Sequence, residues 1–346
     1  MVLLTPGPCM TSEAVRQAAA MPDMNHREPA FQEVFNEVRS RLSSLYPGTA
    51  NWTACLIGGS GTAAVEAMIS SCVGDGEVLV IASGYYSSRL VVQLKAHKIP
   101  YKLLAFSWRD AWNFEWIEDE FARGKYEAVL CVHDETTTGR LNDIQRLGSL
   151  CRQHGARCFV DAMSSFGVEE IDFSVVDAVA SSSNKCLHGI PGVSFVLVKG
   201  ELITEMSARQ SRSFYLDLGQ YAGAIPPVTP PVPVIASLLQ ALREMESVEK
   251  RRESYIHLSS LIRTELGKDG FEPAIPLEES TITLTTYRAP NGDAANWIKR
   301  NRERGFLLYG CKGELEREFF QVANMGELTE ADIRNWLRVV DGLMSG

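Results

Sequence analysis

Short apolar segments alternate with amphipathic segments between about residues 60 and 200. The apolar segments are rich in β-branched residues and end at polar residues or glycine, which predicts buried strands at 77–83, 128–133, 157–161, 177–182 and 193–199. Helical periodicity between them predicts helices at 61–72, 88–97 and 143–154. This alternation predicts an α/β fold with a mainly parallel sheet.

The pattern changes in the last third of the chain. The proline-rich segment 224–234 excludes regular structure and predicts a loop that leads into one long helix over about 234–266. Polar and apolar residues alternate at 279–287 and predict a strand, and 327–343 reads as a capped terminal helix. We therefore expect a large domain over 12–245 and a smaller α/β domain formed by 1–11 and 246–346.

Composition and charge exclude several classes of function. The net charge of −9 argues against nucleic acid as a main partner, although local positive charge could still bind a small anion. The eight cysteines are scattered without a C-x-x-C pair, which predicts reduced thiols and no metal site. No apolar run reaches about 20 residues, and no basic targeting segment opens the chain. These features predict a soluble, cytoplasmic protein that does not bind membranes.

Three features at the carboxyl ends of the predicted strands carry candidate chemistry. The glycine-rich turn 58–62 opens a helix, which suits a phosphate group but also suits an ordinary capped helix. Asp161 ends an apolar strand, where it is either a structural hydrogen-bond partner or the counter-ion of a protonated ring nitrogen. Lys185 follows the next strand and is either a solvated surface lysine or a buried nucleophile. Together they match the needs of pyridoxal phosphate: a phosphate anchor, a ring partner and a Schiff-base amine.

Five segments of the chain are typical of a known protein family: L-T-P-G-P, G-S-G-T-x-A-V-E-A, V-H-x-E-T-T-T-G-x-L-N, V-D-A-M-S-S-F-G and S-x-N-K-C-L-x-G-x-P-G. With them the chain resembles the class V pyridoxal-phosphate aminotransferases, and most closely the 2-aminoethylphosphonate:pyruvate branch. The resemblance implies fold type I, as in aspartate aminotransferase, with pyridoxal 5'-phosphate as cofactor and a homodimer with shared active sites.

The resemblance also implies roles for single residues. Lys185 is expected to form the Schiff base, and Asp161 to pair with the pyridine nitrogen. The phosphate is expected to bind Ser60, Gly61 and Thr62, with Ser183 or Ser182. Three further contacts follow from the matching motifs: Tyr86 on the ring face, Thr137 or Thr136 on the ring hydroxyl, and Thr229 on the phosphate of the neighbouring subunit's cofactor.

One position departs from the family pattern. The family has an arginine that binds the acidic group of the substrate in F-R-I-G-x-x-G, and here the segment is F-Q-V-A-N-M-G, with Gln321 in its place. Glutamine cannot make the charged bidentate contact of an arginine. Two basic residues could replace this arginine: Arg27, which follows His26, and Lys312. Each could equally be a solvated surface charge.

The expected reaction is therefore transfer of an amino group from a small anionic primary amine to a 2-oxo acid such as pyruvate. The loss of the arginine leaves open a pyridoxal-phosphate enzyme of another class, such as a lyase, a decarboxylase or a carbon–carbon bond-forming enzyme of a biosynthetic pathway. A non-enzymatic protein on the same fold and a cysteine desulfurase, with Cys311 as its only candidate thiol, are further alternatives.

Overall fold

The computed structural model describes residues 1–345 of the protein. Its strands, numbered in chain order, are β1 (Val2–Leu3), β2 (Trp52–Gly58), β3 (Val78–Ala82), β4 (Tyr101–Ala105), β5 (Ala128–Val132), β6 (Asp134–Glu135), β7 (Arg140–Leu141), β8 (Arg157–Asp161), β9 (Ala178–Ser182), β10 (Val193–Lys199), β11 (Leu284–Arg288), β12 (Phe306–Leu307), β13 (Tyr309–Gly310) and β14 (Phe319–Ala323).

The α-helices, also in chain order, are α1 (Glu13–Ala18), α2 (Pro29–Ser43), α3 (Gly61–Cys72), α4 (Tyr85–Ala96), α5 (Phe114–Arg123), α6 (Ile144–Gln153), α7 (Gly200–Ser207), α8 (Leu218–Tyr221), α9 (Val232–Glu244), α10 (Val248–Lys268), α11 (Ala294–Arg302) and α12 (Glu330–Met344). Short 3₁₀ turns lie at Leu277–Glu279, Pro290–Gly292 and Gly313–Leu315. None of these described helices is long and apolar enough to cross a bilayer.

A seven-stranded sheet in the order β2-β10-β9-β8-β5-β3-β4 forms the centre of the fold. Only β10 runs antiparallel to its neighbours β2 and β9, and the pairs between β9 and β4 are parallel. Alternate strand residues face two separate cores: Leu79 and Val129 face one side, and Val80 and Leu130 the other. Burial on both faces explains why these strands read as continuous apolar runs rather than as alternating ones.

A third core lies beyond the sheet. It consists of apolar residues between 258 and 343 together with Leu4 from the start of the chain. The first residues reach it because β1 pairs in parallel with β12, and the Leu4 amide donates a hydrogen bond of 2.9 Å to the Leu307 carbonyl. The three-stranded sheet β11-β14-β13 packs in the same region.

Most of the predicted elements are present with small shifts at their ends. The predicted strands 157–161 and 193–199 and the helix 61–72 have the observed bounds. The terminal helix begins after Thr329, whose hydroxyl accepts from the Asp332 amide, while the Asp332 carboxylate accepts from the Thr329 amide. This reciprocal pair of hydrogen bonds is a capping box and fixes the start of the helix.

The single long helix predicted over 234–266 is wrong. The structure has two helices there, α9 and α10, because Met245 leaves the helical conformation with ψ at 107°. Ser247 then starts the second helix, and its hydroxyl accepts from the Lys250 amide at 3.2 Å. The capping serine sits within an otherwise helical pattern, so periodicity alone did not reveal the break.

Candidate active site

A cavity of about 480 Å³ opens at the carboxyl edge of the central sheet. This volume lies within the range of about 300–1,000 Å³ that is typical of small-molecule sites. The walls come from the starts of α3 and α4, from the ends of β5, β8 and β9, and from the loop before β10. The residues that line the wall include Ser60, Gly61, Thr62, Tyr86, Arg89, Asp134, Thr136, Asp161, Ser182 and Lys185.

The glycine-rich turn forms one end of the cavity. Gly59 has φ of 153°, a left-handed value that a residue with a side chain rarely adopts. Ser60 is the N-cap of α3, yet its hydroxyl makes no capping hydrogen bond within the described residues. At Gly61 a Cβ atom would overlap the Met163 side chain. The turn therefore presents a helix N-terminus and an unengaged hydroxyl to the cavity, an arrangement that favours a phosphate group.

Arg89 lies beside this turn and was not predicted from the sequence. Its Nη2 donates to the Thr62 hydroxyl at 3.0 Å, and its Cζ lies 5.9 Å from the centre of the Tyr86 ring. No carboxylate lies within 4.0 Å of Arg89 among residues 1–345. An arginine without an acidic partner at a helix N-terminus adds positive charge where a phosphate would bind.

Lys185 also lines the cavity, in the turn after β9. Its Nζ donates to the Pro6 carbonyl, and Gly7 approaches so closely that a Cβ there would lie 2.5 Å from the lysine Cδ. Burial lowers the pKa of the Lys185 amine, because the charged form loses its hydration. A lowered pKa leaves more of the amine in the neutral, nucleophilic form.

Asp161 ends β8 and lies on the cavity wall with 8% of its surface exposed. Its Oδ1 accepts a hydrogen bond of 3.0 Å from the Met163 amide. Burial raises the pKa of the Asp161 carboxyl to about 6, and the Met163 amide partly opposes this shift. A cationic group in the cavity would restore the ionised form, as a protonated ring nitrogen does.

Glu135 holds the start of α4 in place and was also missed as a functional residue. Its buried carboxylate accepts hydrogen bonds from the Tyr86 amide at 3.1 Å and from the Ser87 amide at 3.0 Å. The helix N-terminus and the carboxylate attract each other electrostatically. Glu135 therefore positions Tyr86 at the wall, where its ring also packs edge-on against Tyr85 with ring centres 5.5 Å apart.

The sequence left open which of two neighbouring threonines and which of two neighbouring serines would contact the cofactor, and the structure separates the members of each pair. Thr136 lines the cavity, whereas Thr137 lies outside its wall with the hydroxyl donating to Glu135 at 2.9 Å. Similarly, Ser182 lines the cavity, whereas the Ser183 hydroxyl donates to the Ile190 carbonyl at 2.6 Å. Thr136 and Ser182 are therefore the members of the two pairs that line the cavity of this chain.

The candidate substrate residues lie away from the cavity wall. Gln321 is buried on β14, and its amide donates to the Thr136 carbonyl. Arg27 and Lys312 are exposed, and the Lys312 amine lies 5.9 Å from the centre of the Tyr309 ring. Thr229 is exposed in the proline-rich loop and does not line the cavity of its own chain. The cavity of this chain is therefore lined neither by a predicted substrate residue nor by Thr229, which was expected to contact the cofactor phosphate of the neighbouring subunit.

The wall as a whole fits pyridoxal phosphate. A phosphate fits the α3 turn, a ring fits beside Tyr86 and Asp161, and an aldehyde carbon needs the neutral amine that Lys185 provides. When bound, the cofactor supplies an electron sink for the bonds of an amine substrate.

Comparisons with known proteins agree with this chemistry. The Aminotransferase class-V family model matches residues 11–257. The 2-aminoethylphosphonate–pyruvate transaminase of Pseudomonas aeruginosa is 33% identical, over 96% of this chain and 93% of that protein. The transaminase of the same name from Vibrio vulnificus is 31% identical, over 99% of this chain and 97% of that protein. The crystal structure of alanine–glyoxylate aminotransferase from Nostoc sp. superposes with a TM-score of 0.92 at 27% identity, and covers 99% of this chain and 95% of that one.

Fold and site together define a pyridoxal-phosphate-dependent transferase of fold type I. The match over most of the chain places it further: the protein belongs to the class V aminotransferase family. The predicted fold class, family and cofactor are thereby confirmed.

We expect Arg89→Ala to weaken cofactor binding by about tenfold or more, because a charge-assisted hydrogen bond to the phosphate is lost. Fluorescence titration of the cofactor-free protein with pyridoxal phosphate measures this. Arg89→Lys keeps the charge and should recover part of the affinity, and Arg123→Ala on the exposed face of α5 should change nothing. Unchanged cofactor affinity in Arg89→Ala, with a raised KM for an acidic substrate, would contradict the phosphate assignment.

The raised pKa of Asp161 predicts how cofactor affinity changes with pH. Because its pKa in the cofactor-free protein is about 6, the carboxylate that pairs with the ring nitrogen is fully formed only above that pH. Cofactor affinity should therefore rise between pH 5 and 7 by about tenfold more in the wild type than in Asp161→Asn. Both proteins share the titrations of the phosphate and of Lys185, so these cancel in the comparison. Equal pH profiles would exclude the pairing.

Proposed function

We propose that the protein transfers the amino group of a small anionic primary amine, similar to 2-aminoethylphosphonate or an amino acid, to a 2-oxo acid such as pyruvate. The observation that carries this proposal is the desolvated Lys185 amine, which faces a cavity that also holds Asp161 and the phosphate-binding turn. The names of the relatives from Pseudomonas and Vibrio support the choice of donor and acceptor.

In this proposal the Lys185 amine would hold the cofactor. When a substrate occupies the site, the same amine would move a proton at the substrate carbon. Asp161 keeps the ring nitrogen protonated, and Tyr86 holds the ring from one face. Ser60, Gly61, Thr62 and Arg89 bind the phosphate, while Ser182 and Thr136 are nearer to the cofactor space than Ser183 and Thr137.

A second candidate is a pyridoxal-phosphate reaction of another class, such as elimination or decarboxylation. Gln321 favours it, because this residue is neutral and its amide is engaged with the Thr136 carbonyl. Arg27 and Lys312 remain candidates for substrate binding only if a segment or a second subunit brings them to the cavity, since both are exposed in the single chain.

We also propose a homodimer whose subunits complete each other's sites. The segment between α7 and α9 exposes large apolar side chains, with Phe214 80%, Tyr215 45% and Ile225 52% accessible. The Tyr215 hydroxyl donates to the Gly58 carbonyl at 3.2 Å, so this surface adjoins the phosphate-binding turn. A partner that covers it would bring its own Thr229 towards the cofactor phosphate.

The domain boundaries and the compartment are part of the proposal. A large domain over 12–245 and a small one from 1–11 and 246–346 agree with the separate core around Leu4 and the break before α10. A cytoplasmic location agrees with the eight buried cysteines, which form no disulfide within the described residues.

Replacement of Lys185 tests the reaction. Borohydride should fix the cofactor to the wild-type protein and not to Lys185→Ala, because only the lysine imine is reducible onto the chain. Amino transfer should fall by at least about a hundredfold with the loss of the proton-transferring amine. The wild type, mixed with donor alone, should convert the cofactor to its amine form, followed by absorbance. Release of ammonia without that conversion would favour the second candidate.

The dimer is tested by light scattering after size-exclusion chromatography. Phe214→Glu places a charge in the apolar surface and should shift the protein from the mass of two chains to that of one. Trp116→Glu is the matched control, since Trp116 is 57% exposed on α5, away from this segment. A wild-type mass of one chain would contradict the shared site.

A further inference from the structure

Residues 5–9 form a short segment, the N-terminal strap, that lies against Lys185 and has no part in the roles proposed above. The Pro6 carbonyl accepts a hydrogen bond from the Lys185 amine. The Cys9 thiol donates a hydrogen bond of 3.3 Å to the backbone carbonyl of the same lysine. Pro6 and Cys9 are both buried. The strap therefore contacts the lysine twice, at the end of its side chain and at its main chain.

Gly7 allows the strap to approach the lysine side chain. Its φ of 110° is a left-handed value that strains any residue with a side chain. A Cβ atom at this position would lie 2.5 Å from Cδ, 2.9 Å from Cε and 3.1 Å from Nζ of Lys185. Non-bonded carbon atoms pack best at about 3.5–4.0 Å. The lysine side chain therefore occupies the space that a side chain at position 7 would fill.

Both ends of the strap are bound to the C-terminal region of the chain. Before it, the Leu4 carbonyl accepts a hydrogen bond of 3.0 Å from the Ala323 amide of β14. After it, the Met10 carbonyl accepts one of 2.9 Å from the Glu327 amide. Lys185 itself follows β9 of the central sheet. The surroundings of the lysine amine are therefore set by a segment that the C-terminal region holds in place.

A backbone carbonyl is a suitable partner for an amine that has to react. Among residues 1–345 no carboxylate lies within 4.0 Å of the Lys185 amine, so no ion pair stabilises its charged form. A neutral amine that donates one N–H to the Pro6 carbonyl keeps its lone pair free. The lone pair is the part of the amine that attacks a carbonyl carbon.

We propose that the N-terminal strap positions Lys185 for its reaction with the cofactor: the Pro6 carbonyl orients the free amine, and Gly7 leaves the space that the lysine side chain needs. None of residues 5–9 lines the cavity, so the strap acts through the lysine and not on the phosphate or the ring. The inference rests on the Schiff-base role proposed for Lys185 and is independent of the identity of the amino donor and acceptor.

The test separates covalent attachment of the cofactor from its non-covalent binding, in the full-length cofactor-free protein. Attachment joins the Lys185 nitrogen to the aldehyde carbon of pyridoxal phosphate and releases the aldehyde oxygen as water. Borohydride, added after set times, supplies the hydride that fixes this bond, and mass spectrometry gives the labelled fraction. Deoxypyridoxine phosphate has the ring and the phosphate but no aldehyde, so its Kd from fluorescence titration reports on the cavity alone.

Gly7→Ala should slow attachment by about tenfold or more, because the added methyl group displaces the lysine side chain from its position. The Kd of deoxypyridoxine phosphate should stay at the wild-type value. Gly48→Ala is the matched control for backbone strain. Gly48 also has a left-handed φ, of 80°, but a Cβ atom there would meet nothing within 4 Å. This variant should behave as the wild type in both measurements.

Cys9 offers a second variant that does not strain the backbone of the strap. Cys9→Ala removes the donor to the Lys185 carbonyl and should slow attachment by about fivefold. Cys9→Ser keeps a donor and should recover most of the wild-type rate. If Gly7→Ala melts below the temperature of the assay, this pair decides alone, and equal rates in Cys9→Ala and Cys9→Ser would overturn the inference.

Three further outcomes have a clear meaning. Wild-type attachment rates in a folded Gly7→Ala protein would overturn the inference, since the strap would then not position the lysine. A wild-type protein that borohydride does not label at Lys185 would overturn the inference and the proposed function together. Slowed attachment in Gly7→Ala, in a protein whose wild type transfers no amino group, would support the inference and overturn the proposed function alone.

Discussion

The desolvation of ionisable groups at one edge of the sheet is the constraint on which the site depends. Lys185, Asp161 and Asp134 all lie where water is largely excluded, and burial is the main cause of the pKa shift in each. Each shift favours a neutral group in the empty cavity. Burial thus favours a neutral, nucleophilic amine and two protonated carboxyls, with no ion pair between them. The charge of a bound ligand then determines which of the three groups ionise.

Backbone groups and fixed carboxylates hold this edge together. Glu135 binds the amides at the start of α4, and Gln321 binds the carbonyl of Thr136 from a strand of the C-terminal region. The Gln321 amide is therefore engaged with the backbone of the wall. In the proposed function, recognition of an acidic substrate then falls to other residues of the cavity.

The sequence predicted the strands and helices whose local patterns of apolar and polar residues are strong. Strands buried on both faces, such as β8 and β10, and the helix behind the glycine turn were found because their periodicity and end signals are strong. The break before α10 was missed because the hydrophobic periodicity continues across it, and only the capping serine, Ser247, marks the start of the second helix. Arg89 and Glu135 were missed for another reason: their roles depend on neighbours that are distant in sequence, which no spacing rule reveals.

The path of the first ten residues has a consequence for how the site is assembled. Val2 pairs with Phe306 near the other end of the chain, Leu4 joins the C-terminal core, and the Pro6 carbonyl receives the Lys185 amine. Contacts of such long range form slowly, because much of the chain must be ordered before they become favourable. The lysine therefore acquires its final surroundings late in folding, after the strands around it. A ribosome-bound chain would have its central sheet before it had a complete site.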